Sequence, residues 1–379
     1  MWNPCLAQLP RNLADHELVR AAWEGLDAGS VWDSHAHLIG AGDSASGIYV
    51  NPRTESLLNP GEYARRLFFL NAGCVHDEKK GGVDRAYVER MHNLADGMKP
   101  GFKLLLFAFE RAFDDGGQPD LAHSMFYVPD AYTRDTARQH AKYFEWAASV
   151  HPYRADALDA LDGAKKDGAV AVKWLPSAMN IDPASKRCDA FYDFLSRNDI
   201  PLIVHAGEER AVTGSEKHDY GNPLRLRRAL DAGVRVVVAH CASMGEDRDL
   251  DKGEQGPYVD SFSLFVRVFE KYAKNCYGDI SAMTQRNRAG PNLVRIIETG
   301  EWHPRLLNGS DYPLPGLMPV FSVDYLVSLK LLPESAAPVL KEIRLHNPLL
   351  FDFVLKRTLR SNGKALTASV FETRRFFVR

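Results

Sequence analysis

Val31-Trp32-Asp33-Ser34-His35-Ala36-His37-Leu38 is the stretch on which the reading of the fold turns. Its apolar and aromatic start predicts a strand. On a strand, His35 and His37 lie two residues apart and project from one face, where two imidazoles can meet a single cation. The same alternation puts Asp33 on the inward face as a buried hydrogen-bonding residue. Taken alone, a His-x-His is equally well a pair of polar residues ending a strand, so later segments must supply the partners.

Upstream, residues 12–26 follow a capping Asn12 with apolar residues at helical spacing, which predicts a helix covering one end of the core. Downstream comes a long insertion: a Gly/Ser-rich loop at 40–47, the natural candidate for a lid, then helical patterns at 62–70 and 83–98. Asn59-Pro60 opens the first of these helices with an N-cap and a Pro in its first turn. From residue 102 the pattern is regular. Strands are expected at 102–110, 145–151, 170–176, 201–208, 235–242, 277–283 and 306–311, with helices at 154–166, 183–197, 222–232, 261–274 and 291–299. With residues 31–38 the strands number eight. Near-continuous apolar strands alternating with helices imply a parallel sheet covered on its outside, and eight units suggest closure. The expected fold class is α/β, a (β/α)8 TIM barrel with an N-terminal helix, a long insertion after strand 1 and extra C-terminal helices from about residue 334. No linker, repeat or low-complexity tract divides residues 1–379, which read as a single domain with a barrel core at about 31–348.

Composition narrows the function. With 45% apolar and 25% charged residues the chain reads as an ordinary globular protein with a sizeable core. A net charge of −2 supplies no overall positive field for nucleic acid or anionic lipid. The longest apolar run, near 104–109, is far short of a membrane span, and no basic-then-apolar leader opens the chain, so a cytoplasmic protein is expected. Cys5, Cys74, Cys188, Cys241 and Cys276 are odd in number and widely spaced, which predicts reduced, mostly buried thiols.

Catalytic residues of such barrels come from the carboxyl ends of the strands. Here strand 1 ends in His35 and His37, strand 4 in Lys173, strand 5 in His205, strand 6 in His240 and strand 8 in Asp311. Each has an ordinary explanation alone, as a satisfied polar residue or a turn former. Chance placement of all of them at one level on five strands is a strained account. The series His-x-His, Val-Ala-Val-Lys173-Trp-Leu-Pro, Ile-Val-His205-Ala-Gly-Glu-Glu, Val-Ala-His240-Cys-Ala and Asn-Gly-Ser-Asp311-Tyr-Pro resembles the amidohydrolase superfamily. More narrowly it is similar to the branch of amidohydrolase-related TIM-barrel proteins that includes aminocarboxymuconate-semialdehyde decarboxylase. The likeness runs from about 31 to 348 and takes in Asn347-Pro348.

The resemblance implies that His35, His37, His205 and Asp311 bind a divalent metal, usually Zn²⁺ or another cation such as Mn²⁺. It further implies that Asp311 moves the proton of the nucleophile and that His240 polarises the scissile carbonyl or orients water. In two-metal relatives the strand-4 lysine is carboxylated and bridges the ions; in one-metal relatives it is unmodified. One ion with an unmodified Lys173 is the favoured reading, two with a carboxylated Lys173 the other. Leu175 stands where the branch pattern Lys-x-His-Pro has His, a departure that weakens the one-metal assignment.

Arg286 and Arg288 follow strand 7, where a guanidinium can hold a substrate carboxylate in a bidentate pair. Trp174 is a candidate wall of the substrate pocket. His151 in Val-His-Pro reads as a turn residue, and Glu208 and Glu209 as partners of nearby imidazoles or as exposed loop carboxylates. His16, His76, His92, His123, His140, His218, His303 and His346 have no consistent strand-end placement and are assigned no metal.

The expected function is hydrolysis of an ester, lactone or amide bond of a small organic substrate by metal-activated water. The alternative is metal-dependent decarboxylation or hydration of a small unsaturated carboxylic acid. A nuclease of the TatD type is disfavoured by Lys173, where those enzymes carry Glu, and by the missing basic surplus. A degenerate barrel serving only for binding would have lost ligands that this chain keeps. The expected partner is a small molecule, with no nucleic acid and no membrane. Apolar helix faces are compatible with a homodimer.

Overall fold

Strands buried on both faces need apolar residues at nearly every position, and the runs named above have them. In the computed structural model, which describes residues 3–6, 8–75, 82–212, 214 and 217–378, they form eight strands: β1 (Trp32–His37), β2 (Lys103–Phe107), β3 (Phe144–Ala147), β4 (Val172–Trp174), β5 (Leu202–His205), β6 (Val236–Ala239), β7 (Cys276–Asp279) and β8 (Leu306–Leu307). Parallel pairing runs without a break from β1 to β3 and from β4 to β8. Two seams join the halves. Ala148 bridges Val172, with Lys173 N–H donating to Ala148 O at 2.8 Å. Ala36 bridges Tyr312, with Ser34 N–H donating to Asn308 O at 3.0 Å and Asp311 N–H to His35 O at 2.9 Å. The barrel is therefore closed, and each expected strand range overlaps one observed strand.

The interior is packed by Trp32, Leu105, Phe107, Ala147, Ala171, Ile203, Val237 and Leu307. Phe376 and Phe377 complete this cluster from the C-terminal segment, and Trp32 stacks on Phe377 with ring centroids 6.3 Å apart. Arg235 fastens the segment by donating to Phe376 O at 2.8 Å. The amino end of the barrel is thus plugged by apolar rings, and polar chemistry is left to the other end. Around the outside, helices Ala337–His346 and Pro348–Thr358 follow the barrel, and Phe353 of the second packs on Trp23 at 4.3 Å.

β1 departs from simple alternation. It pairs Asp33 with Leu104 but Ala36 with Leu106, so one extra residue sits between them, a β-bulge. Asp33 shares the register position of Leu104, which packs in the outer core, whereas His37 pairs with the inward-facing Phe107. The inward orientation expected for Asp33 is thereby corrected: the bulge flips it outward while keeping both histidines inside. Its Oδ1 accepts from His35 N–H at 3.1 Å and Ser310 N–H at 2.8 Å. Burial pushes its carboxyl up to about 6. Beside it, Lys356 donates to Gly309 O at 2.6 Å and to Asp352 at 2.7 Å.

The helix expected at 12–26 is two pieces, Arg11–Ala14 and Glu17–Trp23, because extended His16 caps the second by accepting from Leu18 N–H at 3.1 Å. Helix Asp130–Gln139 had no sequence signal; its buried face is Thr133, Thr136 and Ala137, not an apolar stripe. Cys5 and Cys74, expected as free thiols, form a disulfide with Cα atoms 5.5 Å apart. The end of helix Pro60–Ala72 lies against the N-terminal segment, where Asn3 donates to Ala72 O at 3.1 Å, a proximity hidden by 69 residues of separation. Cys188, Cys241 and Cys276 are free and buried. Among the described residues no helix is long and apolar enough to cross a membrane.

His151, just beyond β3, is fully buried, donates from Nε2 to Met179 O at 2.8 Å and accepts at Nδ1 from Tyr153 N–H. Protonation would set a second N–H against that of Tyr153, and burial holds the imidazole down at about 3. A folded-state value below the unfolded 6.5 means stability that is complete above pH 6.5 and lost as the pH falls. We expect this group to remove about 2 kcal/mol between pH 7 and pH 5. His151→Gln should flatten that acid limb in urea titrations run at the two pH values.

Candidate active site

Strand ends place the polar groups on one floor. His35 and His37 enter from β1, with Nε2 atoms 3.3 Å apart. Asp311, in the turn after β8, puts Oδ1 3.1 Å from His37 Nε2 and 3.5 Å from His35 Nε2. Lys173 rises from β4 to bring Nζ within 3.5 Å of His35 Nε2 and 4.9 Å from the Phe107 ring centroid. His205 from β5 and His240 from the end of β6 complete the ring, their centroids 5.3 Å apart and those of His240 and His35 5.0 Å apart. The structure therefore brings together His35, His37, Lys173, His205, His240 and Asp311, and all six line one cavity of about 470 Å³.

A carboxylate absent from the sequence expectations organises this floor. Asp279, the last residue of β7, accepts from His35 Nδ1–H through Oδ2 at 2.8 Å. Its Oδ1 accepts from His240 N–H at 3.0 Å, from Ser281 N–H at 2.9 Å and from the Ser281 hydroxyl. The proton of His35 is thus held on Nδ1, and the Nε2 lone pair is turned toward His37 and Asp311. His240 Nδ1 donates to Ser281 O at 2.9 Å. The sequence signal was present in Gly278-Asp279, an acid at the end of a strand whose other members carry small or apolar residues.

Burial favours the neutral form of His35, His205 and His240. Burial, reinforced by the Lys173 ammonium, holds His35 well below the usual histidine range. Burial and then Arg288 do the same for His240, and burial lowers His205. Burial also brings Lys173 down to about 8. Backbone strain collects on the same rim: His240, Cys241, Ala242, Ala282 and Asp311 all have φ between 48° and 61°. Such conformations cost about 1–3 kcal/mol each away from glycine and persist where surrounding structure overdetermines them.

Other expected positions separate. Trp174 does not reach the cavity: it alternates with inward Lys173, packs outward on Phe191 at 4.8 Å, and donates its indole N–H to Val150 O at 2.9 Å. That corrects its assignment to the pocket wall, since neighbours on a strand face opposite sides. Arg286 is exposed and sits 5.8 Å from the Tyr325 ring centroid, away from the cavity lining. Arg288 is 8% exposed, lines the cavity and donates to Ser243 Oγ at 3.2 Å; its Nε has no hydrogen-bond partner. Glu209 brings Oε2 to 3.3 Å from His205 Nε2, whereas Glu208 turns to Arg210 at 2.8 Å. His76 lies outside the described residues.

The donor set fits a divalent cation. Imidazole nitrogen and carboxylate oxygen are ligands for such ions, and the Nε2 atoms of His35 and His37 converge with Asp311 Oδ1 within 3.5 Å. His205 Nε2 is buried at the cavity edge without a hydrogen bond. A second grouping, His35, His240 and Asp279, is already spent on hydrogen bonds.

The sequence model of the family described as Amidohydrolase matches residues 32–342. No curated protein matches the chain. Among solved structures, an uncharacterised TIM-barrel protein of Bordetella bronchiseptica is 16% identical, with a TM-score of 0.48 over 82% of this chain and 98% of its own. The apo IDCase of Metarhizium anisopliae is 12% identical, with a TM-score of 0.47 over 94% and 98%. The 4-oxalomesaconate hydratase of Rhodopseudomonas palustris is 12% identical, with a TM-score of 0.42 over 84% and 96%. Likeness at this level says nothing about reaction or substrate.

The rim depends on close backbone approach at Gly309, where an added Cβ would stand 2.5 Å from His35 Cβ and 3.0 Å from His35 N. Neither atom can swing away. Gly309→Ala should cost about 1–3 kcal/mol by overpacking, measured as a lower midpoint in chemical denaturation at unchanged slope.

Proposed function

Because the chain belongs to the amidohydrolase family, whose members are metal-dependent enzymes, we propose that it is a hydrolase cleaving an ester, lactone or amide bond of a small organic substrate. The observation that carries this reading is Asp311, a buried carboxylate 3.1 Å from His37 Nε2 and 3.5 Å from His35 Nε2 on the cavity floor. His35, His37, His205 and Asp311 would hold one divalent cation, Zn²⁺ first and Mn²⁺ as the substitute. Bound there, it supplies Lewis acidity and makes water ionisable near neutrality. The single-ion reading is supported by Asp279, whose oxygens are engaged by His35, His240 and Ser281. Lys173 then acts unmodified, as a buried cation beside the floor.

The chain's own groups have distinct tasks. Asp311 takes the proton of the attacking water and delivers it to the leaving group. His240, whose Nδ1–H is held by Ser281 O, turns its Nε2 lone pair to the floor, where it accepts a hydrogen bond from the attacking water and orients it. Asp279 keeps His35 in the tautomer that frees Nε2. Arg288 receives an anionic group of the substrate. That last residue also favours a second reading, decarboxylation or hydration of a small unsaturated carboxylic acid, because among the described residues this buried guanidinium has no ion pair. Incorporation of ¹⁸O from water into a cleaved acyl product supports hydrolysis; CO2 release or a shifted double bond supports the lyase.

Chelation should abolish turnover, and restoring Zn²⁺ should recover it. Elemental analysis with intact mass should give about one metal per chain and no CO2 adduct on Lys173. Asp311→Asn should lower kcat about 10²–10⁴-fold with circular dichroism unchanged. Turnover that survives complete metal removal would sink the proposal.

A further inference from the structure

The floor chemistry leaves most of the cavity unexplained. Above it the insertion after β1 builds a chamber: helix Pro60–Ala72 contributes Phe69, and a two-stranded ribbon of Tyr49–Val50 with Phe126–Tyr127 contributes Val50 and Phe126. The barrel side answers with Phe109, Leu314 and Val320. The charged lining is Lys173, Arg288, Glu209 and Asp311, with Arg210, paired with Glu208 at 2.8 Å, and Arg65 and Arg66 of helix Pro60–Ala72, paired with Glu62 at 3.4 Å and Glu55 at 3.2 Å. The rest of the lining is mostly apolar and forms an apolar band.

Water there finds few polar partners and gains by leaving for bulk, so the band favours hydrocarbon. A volume of about 470 Å³ lies within the roughly 300–1,000 Å³ of sites that enclose drug-sized ligands. The chamber is also built in advance. Asp84 holds the 40–47 loop by accepting from Ala41 N–H at 2.7 Å, Gly42 N–H at 3.1 Å, Ser44 Oγ at 2.9 Å and Ser46 Oγ at 2.6 Å. Little binding energy is then spent on ordering the loop. At the bottom of the band Arg288, more than nine-tenths buried with an unpartnered Nε, offers one cationic anchor.

We infer that the substrate is amphipathic: one carboxylate seated on Arg288 and an extended apolar aryl or alkyl body lying in the chamber that the insertion builds. The inference rests on the proposed function only for the assignment of the floor as the reacting end. A compact, fully polar acid would leave the band wet and unused.

Calorimetric titration with three probes tests it: 4-phenylbutyrate (head and body), acetate (head alone) and 4-phenylbutan-1-ol (body alone), each on metal-stripped and Zn²⁺-loaded protein. In both forms 4-phenylbutyrate should bind about tenfold or more tighter than either fragment. Arg288→Met should reduce its affinity to that of the alcohol, and Phe69→Ser should narrow its lead over acetate. Equal binding of acetate and 4-phenylbutyrate, or 4-phenylbutyrate binding unchanged in Arg288→Met, overturns the inference. The probe comparison uses the unaltered chain, so its outcome does not depend on either variant folding. Body-dependent binding of 4-phenylbutyrate together with turnover that survives complete metal removal would sink the hydrolytic reading and leave the substrate class standing. Turnover of short polar substrates with no preference for the apolar body would do the reverse.

Discussion

The mouth of the barrel is organised by one hydrogen bond, from His35 Nδ1 to Asp279 Oδ2 at 2.8 Å, which joins β1 to β7 across 244 residues of sequence. Because a neutral imidazole carries one proton, anchoring it on Nδ1 commits the Nε2 lone pair to the side where His37 and Asp311 stand. The second oxygen of Asp279 fixes the backbone of His240 and Ser281, so a single buried carboxylate orients groups from three strand ends. Burial keeps these imidazoles unprotonated, which is the state in which they offer lone pairs at all.

A second carboxylate works from outside. Asp33, turned away from the interior by the bulge in β1, accepts from His35 N–H and from Ser310 N–H, tying the histidine strand to the turn that carries Asp311. Lys356 from helix Pro348–Thr358 reinforces the turn through Gly309 O. The positions of His35 and Asp311 thus depend on a helix far along the chain, and close approach at Gly309 leaves no room for a side chain between them.

Much of the barrel was legible because strands buried on both faces leave unbroken apolar runs, and the histidines interrupt those runs at their ends. What stayed hidden has specific causes. Helix Asp130–Gln139 presents threonines and an alanine to the core and carries no apolar stripe. The ribbon of Tyr49–Val50 and Phe126–Tyr127 pairs two residues with two, too short for alternation to register. The Cys5–Cys74 disulfide joins segments whose adjacency arises only when the insertion folds back on the N-terminus.

The sequence by itself determined the eight-strand alternation, the side-chain chemistry at the strand ends, and the family those ends resemble, because each is a local pattern of residue type and spacing. Only the tertiary structure decided which neighbours face the cavity. One extra residue in β1 reversed Asp33, pleating sent Trp174 outward beside inward Lys173, and of two arginines two residues apart only Arg288 lines the chamber while Arg286 lies out at Tyr325. Trp174 follows from strand alternation once Lys173 is set inward, whereas the bulge at Asp33 and the split between the two arginines depend on register and on contacts between separate segments, which no local spacing encodes.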